Sequence, residues 1–380
     1  MSPAFKAYFR DHFRSKSKLL ICLVVFALML TLITAVGGQR SEYTYTDYGS
    51  DREITRVSYD SCLGLQQFIL IVCSYIIPVI EFSFFKTRRN LDCAYALPIS
   101  RREMGVVHYL TGLICLIVPF TCSYLCNFLL MLRYPEGFVY APLLGYYFLN
   151  LLLSIAAYSL FVFVFNQANS TGDGICFIVL WSFLLFMLLL AVDSFSTMVY
   201  DTFMWEKENS DAIYEAYSKW SDKWLINPSY GVPWGLQNDM SWVYEGAIEK
   251  ASDTWDSRRI ADLWKDSHFV VMFAVWILGG IGSAVGFVLS FGKRRAEKTQ
   301  EVSDSWFGFK VLIPVYGFLI NIGSSGVLLL GVTIMTFVGY LIYRKGFHLK
   351  VWDWIMMGLI LIGSVVLLIL LYGLFAIIFH

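Results

Sequence analysis

The chain has 380 residues, 57% of them apolar and only 15% charged, and its 29 basic and 29 acidic residues give a net charge of zero. Because soluble domains carry about 25% charged residues, this composition excludes an ordinary soluble protein with one large core. A net charge of zero says nothing by itself about partners. The shortage of charged residues leads us to expect membrane lipid around the chain, and we expect no nucleic acid bound to it.

Charged residues are absent from long runs of the sequence. A run of about 18 or more apolar residues is long enough to cross the hydrocarbon core as a helix. We therefore predict an all-α polytopic membrane protein with six core transmembrane helices, a C-terminal hairpin, a final span and a helical extracellular insertion. The predicted spans, in chain order, are 19–36, 63–85, 105–131, 143–165, 175–194, 268–291, 306–322, 327–343 and 354–379.

Residues 1–18 precede the first span and are predicted to form an interfacial N-terminal helix. Such a helix lies in the membrane interface before the chain turns into the bilayer. A disordered basic tail is the alternative. The aromatic side chains that recur near one helical face of this segment are Phe5, Tyr8, Phe9 and Phe13.

The distribution of Lys and Arg sets the predicted orientation. Cytoplasmic loops collect basic residues, and residues 1–18 and 86–104 each hold five of them, against one and two acidic residues. The segment 195–267 instead holds seven basic and thirteen acidic residues. We therefore predict a multi-pass protein of the cell (plasma) membrane, with a cytoplasmic N-terminus, a cytoplasmic loop at 86–104 and segment 195–267 outside.

The stretch 306–343 is predicted to be a hairpin of two short spans or re-entrant helices rather than a single span. A single helix would place Arg344 and Lys345 on the opposite side from the basic cluster at 293–295, which breaks the charge rule. Residues 323–326 read Gly-Ser-Ser-Gly, a sequence typical of turns.

The predicted spans and loops divide the chain into four regions. They are the interfacial helix 1–18, spans one to five with the loop 86–104 (19–194), the insertion 195–267, and the C-terminal spans 268–380.

The insertion 195–267 is the candidate soluble region. It contains seven of the twelve tryptophans, and Trp favours membrane interfaces as well as small cores. Residues 205–225 and 242–266 are predicted to be helical, joined by a turn-rich centre at 227–233. Two interpretations remain open: a compact helical cap over the outer mouth, or a docking surface for an amphipathic substrate.

Motifs for catalysis or cofactor binding are not recognisable in the sequence. The pair Gly292-Lys293 lacks the spacing of a phosphate-binding loop, and no zinc-protease or nucleophile-elbow motif is found. The eight cysteines form no Cys-x-x-Cys pair, and the five histidines are scattered near membrane boundaries as polar anchors. We expect no metal site and no cofactor on this chain, and we predict that it is not an enzyme.

Glu81 is a charged residue inside the otherwise uncharged run 63–85. A charge within a span is costly and marks a functional candidate. Near the membrane boundary the cost falls, and an ion pair with Lys86 or Arg88 would satisfy the carboxylate. Structural pairing is therefore the preferred interpretation of this intramembrane charge.

The loop between the second and third spans combines apolar and basic residues. Leu91, Tyr95 and Leu97 give it an apolar side, and an exposed apolar side on a cytoplasmic loop indicates a protein partner. Ser100 is a good N-cap for the next helix, with Glu103 three residues later as its capping-box partner.

The same loop resembles the one between the second and third spans of type-2 ABC exporter permeases (ABC-2-type transporter permease subunits). Segments 309–316 and 339–347 are similar to the C-terminal part of one branch of that family. The resemblance does not extend to 195–267, which leaves the substrate open. The residues of the loop that carry it are Lys86, Asp92, Ala96, Leu97, Pro98, Ile99, Ser100 and Arg101.

This resemblance implies a complex of two permeases and two ATPases that exports an amphipathic peptide, lipid or drug. A separate ABC ATPase subunit would bind and hydrolyse ATP, and a second permease subunit, identical or related, would complete the pathway. The loop would couple the ATPase to the membrane through Leu91, Tyr95, Leu97, Pro98, Arg101, Arg102 and Glu103.

Two other functions stay open. An ion-coupled secondary transporter tends to show internal repeats and charged residues near the membrane midplane, and neither is evident here. A membrane sensor would read the outside through 195–267 and signal through a partner chain.

Overall fold

Helices make up most of the structure, a computed structural model that describes residues 3–37, 41–46, 53–58, 63–132, 141–206, 210–248, 255–292, 300, 301, 303 and 305–379. Residues Leu359–Gly363 form a π-helical turn between the last two helices. The helices are α1 Pro3–Gly37, α2 Leu63–Phe82, α3 Arg88–Tyr95, α4 Arg101–Met131, α5 Ala141–Gln167, α6 Thr171–Glu206, α7 Ser210–Trp224, α8 Pro233–Ile248, α9 Trp255–Lys265, α10 Ser267–Phe291, α11 Phe309–Gly323, α12 Leu329–Arg344, α13 Val351–Gly358 and α14 Ser364–Phe379.

Seven of the described helical segments are long and apolar enough to cross a membrane. They are α1, α2, α4, α5, α6, α10 and the composite of α13 and α14, whereas α11 and α12 are apolar but shorter. Helices suit the bilayer because they satisfy their backbone hydrogen bonds internally. The predicted polytopic helical fold, with six core spans, a C-terminal hairpin and a final span, is confirmed, and the chain is a multi-pass membrane protein.

A short β-hairpin was not expected from the sequence. Strands β1 (Ser41–Thr46) and β2 (Glu53–Ser58) pair antiparallel in the segment that joins α1 to α2. Ser41 lies opposite Ser58, and Thr46 lies opposite Glu53. The two strands leave the helical architecture of the membrane-spanning region unchanged.

Helix α1 runs unbroken from the segment predicted to be interfacial into the first span. Among the described residues, 3–18 is therefore not a separate element, which corrects the predicted boundary at residue 18. The rings of Phe5, Phe9 and Phe13 follow one another along α1, with centroids 6.5 and 6.1 Å apart. Phe5 is buried, and α1 packs along α4, so protein covers part of this aromatic face.

The predicted C-terminal hairpin is present as α11 and α12. Its turn uses left-handed backbone at Ser325 (φ 51°) and Gly326 (φ 82°), a conformation that glycine adopts without steric cost. The two arms pack together, and a Cβ on Gly317 would approach the Thr336 hydroxyl to 2.7 Å. The basic cluster at 293–295, which motivated the hairpin, lies outside the described residues.

Contacts divide the chain into two compact units. The first consists of Met1–Asn166 and Pro233–Thr299, and the second consists of Gln167–Val232 and Gln300–His380. The boundary at residue 232 passes through the insertion 195–267. This segment was predicted to be a single region, but α7 belongs to the second unit, whereas α8 and α9 belong to the first.

The insertion is helical, as predicted, but its second helix starts earlier than expected. Helix α8 begins at Pro233 instead of residue 242, because proline suits the first turn of a helix, where its missing N–H is not needed. The amide of Gln67 on α2 donates to the Trp234 carbonyl over 3.0 Å and ties α8 to the spans. Residues 249–254, in the middle of the predicted helix 242–266, lie outside the described part of the chain.

Candidate functional site

The loop predicted to bind a partner contains the short helix α3. A single 3-10 turn, Ser83–Lys86, follows α2, and α4 begins at Arg101. The predicted capping box is confirmed: the Glu103 amide donates to the Ser100 hydroxyl over 3.2 Å, and the Ser100 amide donates to Glu103 Oε2 over 3.3 Å. Since both backbone donors are satisfied, the start of α4 is fixed relative to the loop.

The apolar side of the loop is only partly available to a partner. Leu91 is fully buried, together with Ala94 one turn later on α3. Leu91 therefore belongs to the core of the first unit, which corrects its predicted place on the exposed side. Leu97 is 42% exposed, and the neighbouring Pro98 is exposed as well.

Basic side chains frame this exposed surface. The guanidinium of Arg101 lies 4.1 Å from the centroid of the half-buried Tyr95 ring, a cation–π contact that covers one face of the ring. Arg102 is exposed beside it. Glu103 is engaged in the capping box and therefore supports the helix start. We use the name loop patch for Leu97, Pro98, Arg101 and Arg102.

Aromatic packing joins the loop to the rest of the first unit. The rings of Phe82 and Phe287 lie 5.3 Å apart, and those of Phe85 and Phe291 lie 5.2 Å apart. All four side chains are buried. Gly105, one turn into α4, allows the Phe291 ring to approach, because a Cβ there would meet that ring at 2.6 Å. The ends of α2 and α10 and the start of α4 therefore form one packed body.

Glu81 has partners that the sequence did not indicate. Its Oε2 lies 3.0 Å from His12 Nε2 and 3.4 Å from His108 Nδ1, and its Oε1 lies 3.4 Å from the Lys16 ammonium. The expected partner Lys86 instead donates to the Phe165 carbonyl over 2.6 Å and lies over the Phe165 ring. The carboxylate on α2 is thus compensated by side chains from α1 and α4.

The buried charge belongs to a larger polar group, the Glu81 cluster, consisting of Tyr8, His12, Lys16, Glu81 and His108. The Tyr8 hydroxyl and His108 Nε2 form a hydrogen bond of 3.1 Å, and the two histidine rings have centroids 3.9 Å apart. The four-residue spacing of Tyr8, His12 and Lys16 places them on one face of α1. That spacing is a signal in the sequence, but His12 and His108 lie far apart in the chain, and only the packing of α1 against α4 brings them together.

Comparison of the chain with protein-family models, curated proteins and solved structures gives no match. The side chains of the loop patch and the Glu81 cluster therefore carry the functional interpretation.

The second unit has a cavity and a buried ion pair of its own. The cavity measures 560 Å³, and its lining combines charged side chains (Asp173, Glu301, Lys345) with apolar ones such as Phe309. Elsewhere in this unit, the Arg344 guanidinium donates to both carboxylate oxygens of Asp353 over 3.0 Å each. Asp353 is fully buried, so this pair links α12 to α13.

Proposed function

We propose that this chain is the permease subunit of an ABC exporter, driven by a separate ATPase subunit and paired with a second permease chain. The observation that carries the proposal is the loop patch. It places an exposed leucine and two exposed arginines on a loop whose sequence resembles the coupling loop of type-2 ABC exporter permeases. Interface cores favour apolar anchors of this kind over charges at the rim.

The packing around the loop supports a mechanical role for it. A partner that binds at Leu97 would push on a segment held by the buried Leu91 and by the capping box at Ser100. Since protein interiors are close-packed, such a displacement is passed on as movement of whole elements. The displacement would reach the C-terminal end of α2 and the start of α4 first. The contact of Phe85 with Phe291 would extend it to α10.

The proposed substrate class is an amphipathic peptide, lipid or drug. The 560 Å³ cavity of the second unit supports this class, because its size is that of a small-molecule site and its lining is both charged and apolar. An apolar groove along α11 and the final span, lined by residues that include Phe318, Met356 and Leu359, fits an acyl chain.

The proposal is tested by purifying the tagged chain from its native membranes in mild detergent and identifying the bound proteins by mass spectrometry. We expect a chain with a phosphate-binding loop to co-purify and the complex to hydrolyse ATP. A preparation without any ATPase chain would contradict the proposal. A kinase in its place would favour the membrane sensor.

An ion-coupled secondary transporter is the alternative that one specific observation favours. The Glu81 cluster places a buried carboxylate and two histidines among three spans, and such groups occur in proton pathways. Transport by the reconstituted chain alone, driven by a proton gradient without ATP, would establish this alternative. Transport that requires both ATP and the partner would exclude it.

The proposed mechanism requires a particular topology. In a cysteine-free background, we expect Arg89→Cys and Phe347→Cys to react with an impermeant thiol reagent only after cells are permeabilised, because the charge pattern predicts both loops to be cytoplasmic. Lys219→Cys, on α7, should react in intact cells. Labelling of Arg89→Cys from outside would place the loop patch on the wrong side for an ATPase.

A further inference from the structure

Three side chains with metal-binding atoms converge within the first unit. His12 on α1, Glu81 on α2 and His108 on α4 bring one ligand atom each to within 4.8 Å of the others. Glu81 and His108 are buried, and the His12 side chain is 11% exposed. The proposed export function uses none of these atoms, and the burial of a carboxylate and two imidazoles together requires an explanation of its own.

The two separations that involve Glu81 match those of ligands around a small cation. Zinc binds imidazole nitrogen and carboxylate oxygen at about 2.0–2.2 Å, so tetrahedral ligand atoms lie roughly 3.3 Å from one another. Glu81 Oε2 lies 3.0 Å from His12 Nε2 and 3.4 Å from His108 Nδ1. We propose that His12, Glu81 and His108 form a binding site for a divalent transition metal ion, and we test it with Zn²⁺, which two imidazoles and one carboxylate bind in catalytic zinc sites.

The neighbours of the three ligands orient them as outer-shell partners do in metal sites. The second ring nitrogen of a metal-binding histidine is usually hydrogen-bonded, which fixes the tautomer. In His108 that nitrogen is Nε2, which lies 3.1 Å from the Tyr8 hydroxyl. When Nε2–H donates to Tyr8, the Nδ1 lone pair is free to face the ion.

Lys16 competes with the ion for the carboxylate. Its ammonium lies 3.4 Å from Glu81 Oε1, the oxygen that does not face the histidines, and it supplies the positive charge that a bound cation would supply. The Lys16 side chain is 23% exposed, so it has room to turn toward solvent when an ion enters. The same exposed edge, shared with His12, provides the route of entry.

A bound ion would tie α1 to α2 and α4. The rings of Phe82 and Phe85 stand against His108, with centroids 6.0 and 4.7 Å away, and exclude water from the inner side. Because a ligand that binds only the folded state stabilises it, Zn²⁺ is expected to raise the unfolding temperature of the purified chain.

The test is metal binding by the full chain in detergent. After treatment with a chelator and exposure to Zn²⁺, we expect one equivalent per chain by elemental analysis, with an affinity measured by competition with a zinc-binding dye. His108→Ala and Glu81→Gln should each lose at least about 100-fold in affinity, and Tyr8→Phe about 10-fold. Lys16→Gln should bind more tightly, because a competing cation is removed.

His348→Ala is the matched control, since His348 is exposed and remote in sequence from the three ligands; it should bind as the unchanged chain does. If a variant folds poorly, the unchanged chain is loaded with Co²⁺ instead of Zn²⁺. The visible absorption of the bound Co²⁺ should then report nitrogen and oxygen ligands. The proposal is overturned if the unchanged chain retains no Zn²⁺, or if His108→Ala and Glu81→Gln bind it as tightly as His348→Ala.

Discussion

Leu97→Asp is expected to abolish co-purification of the ATPase while the permease still inserts and folds. Leu97 is 42% exposed, so the substitution disturbs little internal packing, but it would bury a charge at the centre of the proposed interface. Burial of an unpaired charge is strongly unfavourable. We expect at least about a tenfold loss of bound ATPase, which corresponds to about 1.4 kcal/mol, measured by quantitative mass spectrometry of the purified complex.

Two comparisons make this result specific. Phe347→Asp is the matched control, because Phe347 is also apolar and 84% exposed but lies after α12, and it should leave the bound ATPase unchanged. Leu91→Asp should instead reduce the amount of folded permease, since Leu91 is buried. A Leu97→Asp variant with a full complement of ATPase would show that the loop patch is not the coupling surface.

Arg344→Leu is expected to destabilise the second unit by about 3–5 kcal/mol, because it leaves the buried Asp353 carboxylate without its partner. The Arg344 guanidinium makes two hydrogen bonds to Asp353, and the carboxylate also accepts from the Lys350 backbone amide over 2.9 Å. The Lys350 amide and the Lys350 side-chain charge both remain in the variant, but neither replaces the paired guanidinium. Thermal unfolding of the purified protein, followed by tryptophan fluorescence, measures the loss, because Trp352 and Trp354 flank Asp353.

The double variant Arg344→Leu with Asp353→Leu separates the lost pair from lost packing. Replacement of both members of a buried ion pair by apolar residues is often neutral or stabilising, so the double variant should unfold at a higher temperature than Arg344→Leu alone. Equal unfolding temperatures for the two variants would mean that the uncompensated charge is not the cause.

The spans and the hairpin were predictable because their signals are local. An uncharged run of sufficient length needs no knowledge of its neighbours, and the predicted 268–291 coincides closely with α10, Ser267–Phe291. The turn at 323–326 follows from glycine and serine alone. The capping box at Ser100 is likewise set within four residues.

The partners of Glu81 could not be derived in the same way. His12 lies 69 positions before it in the chain, and their contact depends on how α1 packs along α2 and α4. The burial of Leu91 has the same origin, because an amphipathic helix shows which residues share a face but not whether protein or a partner covers it. The division of the insertion at residue 232 also depends on long-range contacts.

The π-helical turn at Leu359–Gly363 separates the final span into two helical frames. Such a turn holds one residue more than an α-helical turn, so the side chains of α14 are rotated by about 100° from where a continuous α-helix would place them. Ser364, the first residue of the second frame, accepts a hydrogen bond from the buried Asn321 amide. Deletion of a single residue within this turn would therefore rotate the whole end of the chain and move Ser364 away from Asn321.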